Sequence, residues 1–238
     1  MTTLINQLTQ NLTMLIGIEP EKGNRTRVMP SSASPCSARS RVDRTPTMRG
    51  MPALSNEMPT LMLVDSSYSM DEEYKDAECK LVAAKRAARS HVVERSKQCP
   101  RAQIGLITFT DRAWVVCEPV SLDSDKPKLL GAIDSIVTGG GTDMGAAMRC
   151  AKDQLGGMPG RVVLISDGHG GDPVPASKQI QSNGGIVSCI GIGSDPSEVD
   201  EPRLRRAASV LDGVQQYWFV RDLNLLTQTM TMLAANAR

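Results

Sequence analysis

The segment LMLVDSSYSM, residues 61–70, passes from an apolar run directly into an aspartate followed by three serines and a tyrosine. An apolar residue at every position is typical of a strand that is buried on both faces. Asp and Ser favour turns because their side chains hydrogen-bond the neighbouring backbone, yet the same oxygens also suit a metal site or a nucleophile. The segment alone leaves these three interpretations open.

The chain from residue 61 onward alternates between two kinds of segment. Short apolar runs that are β-branched or bounded by glycine indicate buried strands, and longer segments with helical periodicity indicate helices. The predicted strands are TLMLVD, AQIGLITFT, GRVVLISDG, GGIVSCIGIG and VQQYWFV. DRAWVVCEPV follows the second of them after one tight turn and is predicted to be an antiparallel edge strand. This alternation predicts an α/β fold with a mostly parallel central sheet and helices on both faces.

The predicted helices are KDAECKLVAAKRAARSHVVERS, TDMGAAMRCAKDQL, PASKQIQS, EPRLRRAASVL and LNLLTQTMTMLAANA. In the first helix, the apolar residues expected on one side are Leu81, Val82, Ala88 and Val92. The basic residues of the same helix are expected to form a solvated face, and they are Lys80, Lys85, Arg86, Arg89, Arg95 and Lys97. Asp143 is expected to cap the helix that begins beside it.

Composition argues against several classes of protein. A net charge of +1 gives no general attraction to nucleic acid or to an anionic membrane, and 3% aromatic residues do not favour a base-stacking surface. No window reaches the ~18 continuous apolar residues that a membrane span needs. The six cysteines form no Cys-x-x-Cys pair, and the first residues lack the basic start of a signal peptide. These features favour reduced cysteines and a cytoplasmic location.

Residues 1–57 differ in composition from residues 58–238, which are predicted to form one folded domain. The first segment is rich in Ser, Arg and Pro and is predicted to be a disordered or weakly helical N-terminal extension. Leucines 4, 8, 12 and 15 lie at helical spacing and favour a short amphipathic docking helix. An overlong gene start is the alternative, because several methionines precede the folded part.

The most unusual polar residues follow predicted strands. Asp65, Ser67 and Ser69 follow the first strand, Asp167 follows VVLIS, and Thr142 lies in the flexible loop GGGTDMG. In open α/β sheets, sites form at the carboxyl ends of the strands. Carboxylates and hydroxyls without histidine or thiolate suit Mg²⁺, Mn²⁺ or Ca²⁺ and argue against zinc or copper. Such a set leaves a coordination position that an acidic group of a partner can fill, which is a mechanism for binding and not for turnover.

Taken together, DSSYS at residues 65–69, Thr142 and Asp167 resemble the metal-ion-dependent adhesion site (MIDAS) of von Willebrand factor A (VWA) domains. The resemblance covers roughly residues 59 to 237, and it implies a Rossmann-like three-layer fold. It also implies direct binding of the cation by Ser67 and Ser69. Asp65 and Asp167 are expected to bind through water or to orient the ligands, and Thr142 to switch between direct and water-mediated contact.

The segment IGIGSDPSEVDEPRLRRAAS is similar to bacterial cytoplasmic VWA proteins associated with tellurium resistance. Two features depart from the family pattern. Tyr68 stands where members often carry glycine, and its side chain either contacts a partner at the rim or packs against the domain. His169 is an unusual neighbour of the site and is expected to be a solvated loop residue.

The leading interpretation is a protein–protein interaction module, not an enzyme, that binds an acidic residue of a protein partner through Mg²⁺ (or Mn²⁺ or Ca²⁺). One alternative is a structural interaction module with a non-functional metal site. Another is a haloacid-dehalogenase-like phosphotransferase, although Ser67 stands where that family needs a second aspartate. A third is an accessory domain of a separate ring ATPase. The signatures of serine hydrolases and of nucleotide-binding loops are not matched, and neither nucleic acid nor membrane is an expected partner.

Overall fold

The computed structural model describes residues 57–74 and 78–236. The N-terminal extension expected over residues 1–57, with its leucine-rich start, lies almost wholly outside the described residues, and the division into 1–57 and 58–238 stays a prediction. Six strands form the central sheet: β1 (Thr60–Asp65), β2 (Gln103–Phe109), β3 (Ala113–Ser121), β4 (Arg161–Ser166), β5 (Ile186–Ile192) and β6 (Tyr217–Val220).

The strand order in this sheet is β6-β5-β4-β1-β2-β3. All neighbouring pairs are parallel except β2 and β3, which are antiparallel, so β3 is an antiparallel edge strand. The predicted α/β class is confirmed, including the mostly parallel sheet and the orientation of the edge strand. All strands predicted for this sheet are present, within a few residues of the predicted limits.

Six helices cover the two faces of the sheet: α1 (Lys80–Gln98), α2 (Leu122–Asp134), α3 (Met144–Leu155), α4 (Val174–Ser182), α5 (Glu201–Ala207) and α6 (Leu223–Ala235). Helices α1, α2 and α6 contribute to one hydrophobic cluster, and α3, α4 and α5 contribute to the other. The described part of the chain therefore has three layers. Within it, no helix combines the length and the apolar character needed to cross a membrane.

The four central residues of strand β1 are all apolar because both faces of the strand are buried. Met62 and Val64 belong to the cluster on one face of the sheet, and Leu61 and Leu63 belong to the cluster on the other. All four side chains are buried. Full burial of such a side chain stabilises the fold by about 1.5–3 kcal/mol, so a polar residue at any of these four positions would be destabilising.

The buried face of α1 differs from the predicted one. Val82 is 43% exposed, whereas the face against the sheet and α6 is built largely from alanines. Small alanine side chains allow α6 to pack closely on α1, and Val82 lies on the opposite side of the helix. The expectation that Val82 faces the core was therefore wrong, and Leu81, Ala88 and Val92 are buried as expected.

The basic residues of α1 do not all form a solvated face. Lys80 and Arg95 are buried, which contradicts the prediction for these two residues. The Lys80 ammonium lies 2.8 Å from a carboxylate oxygen of Glu72, and the Arg95 guanidinium lies 2.5 Å from one of Glu57. Because each positive charge has a carboxylate beside it, burial does not leave it uncompensated.

Helix α2 was not predicted from its sequence, LDSDKPKLLGAID. Its backbone departs from helical geometry at Asp125, and Pro127 follows two residues later, at the start of the regular part. A proline at the start of a helix costs little because its missing N–H would have no intrahelical acceptor there. Leu129 and Ile133, one turn apart, are buried against the sheet and anchor this helix.

The described cysteines are all free, as predicted, and they are Cys79, Cys99, Cys117, Cys150 and Cys189. Burial raises the pKa of the Cys189 thiol to about 12. A thiol with such a pKa is a poor nucleophile at neutral pH, so Cys189 acts as a small apolar core residue.

Strand order reverses between β1 and β4, because the chain runs outward from β1 to β2 and β3 and then crosses to β4 on the other side of β1. The loops that follow β1 and β4 diverge to opposite faces and open a crevice at the carboxyl ends of these strands. Crevices at such a point are the usual ligand sites of open α/β sheets. The predicted site residues lie in this region.

Candidate metal centre

Three loops meet at the carboxyl ends of β1 and β4. The first loop, residues 65–69, follows β1, and the second loop, residues 139–143, precedes α3. The third loop, residues 166–171, follows β4. Asp65, Ser67 and Ser69 lie in the first loop, Thr142 in the second and Asp167 in the third. The contacts between the loops decide how these residues are arranged.

The carboxylate of Asp65 joins the first and third loops. Its Oδ1 accepts a hydrogen bond of 2.9 Å from the backbone N–H of Ser67, and its Oδ2 accepts one of 2.5 Å from Ser166 Oγ. Asp65 is fully buried. Since both oxygens have donors, this side chain holds the loops in place and presents no free oxygen.

The hydroxyls of Ser67 and Ser69 lie together, with 3.0 Å between the two Oγ atoms. Ser67 precedes a 3-10 turn at Tyr68–Asp71, but its side chain makes no capping bond to that turn. The Ser67 hydroxyl therefore does not cap this turn, and helix capping does not explain why a serine stands at this position. Adjacent ligands of an octahedral Mg²⁺ ion lie roughly 2.9 Å apart, so the observed spacing suits either a hydrogen bond or two neighbouring coordination positions.

Backbone hydrogen bonds hold the second loop against the first. The N–H of Gly139 donates to the carbonyl of Ser66 at 2.8 Å, and the N–H of Tyr68 donates to the carbonyl of Gly140 at 3.1 Å. On the other side, Asp111 Oδ2 accepts a 3.0 Å hydrogen bond from the N–H of Gly141. A Cβ at Gly141 would meet the Asp111 carboxylate, so a larger residue at this position would displace that side chain and break its hydrogen bond to the loop.

The third loop brings Asp167 to the same place. Asp167 is 2% exposed, and its Oδ1 is buried without a hydrogen-bond partner among the described residues. Farther along this loop, Gly170 has a φ of +83° and touches the backbone of Thr142. Thr142, in the second loop, is half-buried where that loop meets the third loop. An unpartnered buried carboxylate oxygen is costly unless something else satisfies it.

Burial changes the protonation of the site. It raises the pKa of Asp65 from 3.8 to about 6, and the hydrogen bonds from Ser166 and Ser67 oppose that rise. The negative charge of Asp167 also raises the pKa of Asp65, which means that the two carboxylates repel one another. A nearby cation would stabilise both ionised groups.

The donor set fits a hard divalent cation. It contains two carboxylates and three hydroxyls, which are the oxygen ligands of Mg²⁺, Mn²⁺ and Ca²⁺. In the described ranges no group of three or more His, Cys, Asp or Glu side chains is placed to hold a metal, so a site here depends on hydroxyls. The roles assigned from the sequence to Asp65, Ser67, Ser69, Thr142 and Asp167 stay predictions.

Each of the three loops carries one further residue for which there is an expectation from the sequence. Tyr68 is 68% exposed, which leaves it at the rim and does not support packing against the domain. His169 is exposed as expected, and its Nε2 lies 2.6 Å from the carbonyl oxygen of Glu198. Asp143 caps α3, with its Oδ1 accepting from the N–H of Ala146 at 2.9 Å, and this prediction is confirmed.

Two residues that shape the site were not identified from the sequence. Ser166 donates to Asp65, although the two residues are 101 positions apart. Asp111 fixes the second loop from the turn between β2 and β3. The only sequence signal for Ser166 is its position at the end of a buried strand, directly before Asp167. Asp111 gives no specific sequence signal, because aspartate is common in tight turns.

Comparisons with known proteins give a match to one domain family over part of this chain. Residues 60–169 match the family model described as von Willebrand factor type A domain. No curated protein sequence gives a match. Among solved structures, the chain is similar to a von Willebrand factor type A protein from Catenulispora acidiphila, with a TM-score of 0.64 and 23% identity. That alignment covers 76% of this chain and 42% of the other, so this chain spans less than half of the Catenulispora protein.

Two further structures show the same fold. The conserved hypothetical protein BatB from Bacteroides thetaiotaomicron has a TM-score of 0.58 and 20% identity over 75% of this chain and 100% of its own. The PilB minor pilin from Streptococcus sanguinis has a TM-score of 0.60 and 12% identity over 77% of this chain and 62% of its own. At these identities the likeness concerns the fold.

Proposed function

We propose that the chain contains a von Willebrand factor type A domain, whose family model matches residues 60–169, and that this domain binds an acidic residue of a protein partner through a divalent cation. Domains of this family generally act as protein-interaction modules rather than as enzymes. The cation is Mg²⁺ in the proposal, with Mn²⁺ and Ca²⁺ as substitutes of the same ligand preference.

One observation carries the proposal. Asp167 Oδ1 is buried without a partner in the described part of the chain, and the charge of Asp167 acts on Asp65, whose carboxylate accepts the backbone N–H of Ser67. A buried carboxylate oxygen without a donor is destabilising by itself, and a cation at this position offsets that cost. The repulsion between Asp65 and Asp167 points to the same compensation.

The contacts that each residue makes suggest which residues bind the cation and which orient the loops. Ser67 and Ser69 are proposed to bind the cation directly. Asp65 has donors on both oxygens and is proposed to orient the first loop, while Asp167 contributes negative charge directly or through water. Thr142 completes the set from the second loop. When bound, the ion supplies electrophilic charge, and two carboxylates do not over-neutralise it, so an acidic group of the partner is attracted to the remaining position.

Calorimetric titration of Mg²⁺ or Mn²⁺ into the full chain tests the metal site. The wild type is expected to bind, and to gain about 2.7 kcal/mol in free energy of unfolding at roughly one hundred times Kd. Asp167→Asn keeps the shape of the side chain but removes its charge, and it is expected to lose most of this binding, as is Asp65→Ala. The matched control is Asp212→Asn, an exposed aspartate in the turn between two short strands, Val210–Leu211 and Val214–Gln215. Equal binding by wild type and Asp167→Asn, or none by either, defeats the metal site.

A second experiment tests the interaction itself. Capture of a partner by immobilised wild-type protein is expected to fail in EDTA and to fail with Asp167→Asn, and to persist with Asp212→Asn. Capture that survives both EDTA and Asp167→Asn would instead favour an interaction module that binds through its helix faces.

The cellular setting is part of the same proposal. Free cysteines at every described cysteine position support a reducing compartment, and we place the protein in the cytoplasm. The sequence resemblance to tellurium-resistance-associated proteins supports a bacterial stress system. Unchanged tellurite and stress survival after deletion of the gene would remove that part of the proposal and leave the metal site untouched.

A further inference from the structure

Ser166, the last residue of β4, joins two of the three loops at the candidate site. Its Oγ donates a hydrogen bond of 2.5 Å to Asp65 Oδ2 and accepts one of 3.0 Å from the backbone N–H of Gly168. The Ser166 side chain is fully buried. This one hydroxyl therefore connects the carboxylate of the first loop with the backbone of the third loop.

The register of the parallel strands β1 and β4 explains why residues 101 positions apart meet. The last paired positions are Val64 and Ile165, and Asp65 and Ser166 are the next residues of the two strands. Neighbouring strands lie about 4.8 Å apart, so a short side chain at this position reaches the residue beside it. The contact is therefore set by the sheet, which is the rigid part of the fold.

The directions of the two hydrogen bonds follow from the chemistry of the groups. A backbone N–H only donates, so Ser166 Oγ accepts from Gly168, and the single hydroxyl proton goes to Asp65. A hydrogen bond to an ionised carboxylate is shorter and roughly twice as strong as one between neutral groups. The rotation of the Ser166 hydroxyl is thus fixed from both sides.

The bond from Ser166 opposes a repulsion at the site. Asp167 directly follows Ser166 in the chain, and its negative charge acts on Asp65. Asp167 Oδ1 is buried and has no hydrogen-bond partner among the described residues, so a hydrogen bond at that oxygen does not offset the repulsion. Because Ser166 is covalently joined to Asp167 and hydrogen-bonded to Asp65, it keeps the first loop beside the third.

We propose that Ser166 is a positioning residue for the cation, which holds Asp65 against the third loop so that Asp65 and Asp167 are in place before the ion binds. This inference rests on the proposed function and adds a residue to which the sequence assigned no role. Ser166 does not bind the ion itself, because its proton points to Asp65. Removal of a residue that holds a metal ligand in place typically lowers metal affinity roughly 10–100-fold.

Calorimetric titration of Mg²⁺ into the full chain compares the wild type, Ser166→Ala and Ser177→Ala. Ser177 is the matched control, because it is also a fully buried serine, and its Oγ donates to the carbonyl oxygen of Ala207 at 2.9 Å. Ser166→Ala is expected to weaken Mg²⁺ binding about 10–100-fold, whereas Ser177→Ala should leave it unchanged. Both variants lose a buried hydrogen bond and should unfold at lower urea, so the urea midpoint reports structural damage and the Mg²⁺ affinity reports positioning.

Hydrogen exchange in EDTA tests the same bonds without metal. The backbone N–H of Gly168 should exchange slowly in the wild type, because it is buried and bonded to Ser166 Oγ, and at least about tenfold faster in Ser166→Ala. Ser166→Cys is a second variant that keeps a side chain in this buried position but offers only a weak donor and acceptor. It should change the Mg²⁺ affinity and the exchange rate in the same directions as Ser166→Ala.

The results separate this inference from the proposed function. Equal Mg²⁺ affinities in wild type, Ser166→Ala and Ser166→Cys would remove the role of Ser166 and leave the cation site standing, and so would rapid exchange of the Gly168 N–H in the wild type. Equal losses of affinity in Ser166→Ala and Ser177→Ala would show that general destabilisation, and not positioning, weakens binding. A wild type that binds neither Mg²⁺ nor Mn²⁺ would remove both the inference and the proposed function.

Discussion

His91 provides a quantitative test of the packing between α1 and α6. It is fully buried, and its Nδ1 lies 2.9 Å from the carbonyl oxygen of Met230. A carbonyl only accepts, so Nδ1 carries the proton, and Nε2 is buried without a partner in the described part of the chain. Protonation of Nε2 would therefore place a positive charge in the core.

The pKa of His91 is lowered from 6.5 to about 4. Burial is the main cause, the Met230 carbonyl opposes it, and the positive charges of Arg95 and Arg161 add to it. Because the unfolded chain binds a proton near pH 6.5 and the folded chain does so only near pH 4, stability is lost as the pH falls through this interval. At about pH 5 the linkage amounts to about 2 kcal/mol relative to pH 7.5.

Urea unfolding followed by far-ultraviolet circular dichroism at several pH values measures this loss. His91→Asn keeps a donor for the Met230 carbonyl but does not titrate, so its free energy of unfolding should fall by about 2 kcal/mol less than that of the wild type between about pH 7.5 and pH 5. His169→Asn removes the exposed histidine and should behave as the wild type. Equal losses in wild type and His91→Asn would show that His91 is not held neutral by burial, and the reasoning would fail.

Two further substitutions test contacts described above, each against a matched control. Gly141→Ala should lower the free energy of unfolding by about 0.5–1.5 kcal/mol, because its Cβ would displace the Asp111 carboxylate and break the hydrogen bond that this carboxylate accepts from the backbone N–H. Gly139→Ala has open space around its Cβ and should change the free energy of unfolding by less than about 0.5 kcal/mol. Thermal or urea unfolding measures both, and equal losses would contradict the role of the Asp111 contact. Lys80→Ala should lower the free energy of unfolding by about 1–2 kcal/mol, because it removes a buried side chain that is paired with Glu72. The control Lys97→Ala removes an exposed side chain and should lower it by less than about 0.5 kcal/mol. Similar losses in the two variants would contradict the contribution of burial.

The features that the sequence predicted well are local. Strand β1 was predicted with its observed limits because every residue from Thr60 to Asp65 is buried, so its apolar run has no interruption. The cap at Asp143 was predicted because capping depends on one residue and the N–H groups that follow it. The prediction of a site at one edge of the sheet used strand polarity, since parallel strands bring their carboxyl ends together, and the ligand roles of its residues stay predictions.

The features that the sequence did not reveal depend on distant partners. Burial of Arg95 depends on Glu57, 38 residues away, and the bond from Ser166 to Asp65 joins residues 101 positions apart. Helix α2 was not predicted because Pro127 and the irregular backbone at Asp125 obscure its helical periodicity. The helix is stabilised instead by the packing of Leu129 and Ile133 against the sheet. In each case the deciding contact is absent from the local pattern.

The backbone hydrogen bonds between the first and second loops have a kinetic consequence. They join Gly139 to Ser66 and Tyr68 to Gly140, and they use none of the side-chain oxygens proposed to hold the ion. The loops therefore lose their conformational entropy when the chain folds, and ion binding does not have to order them again. Ion entry should then be limited by how fast the ion sheds its own water, so Mg²⁺, which dehydrates reluctantly, should exchange more slowly than Ca²⁺.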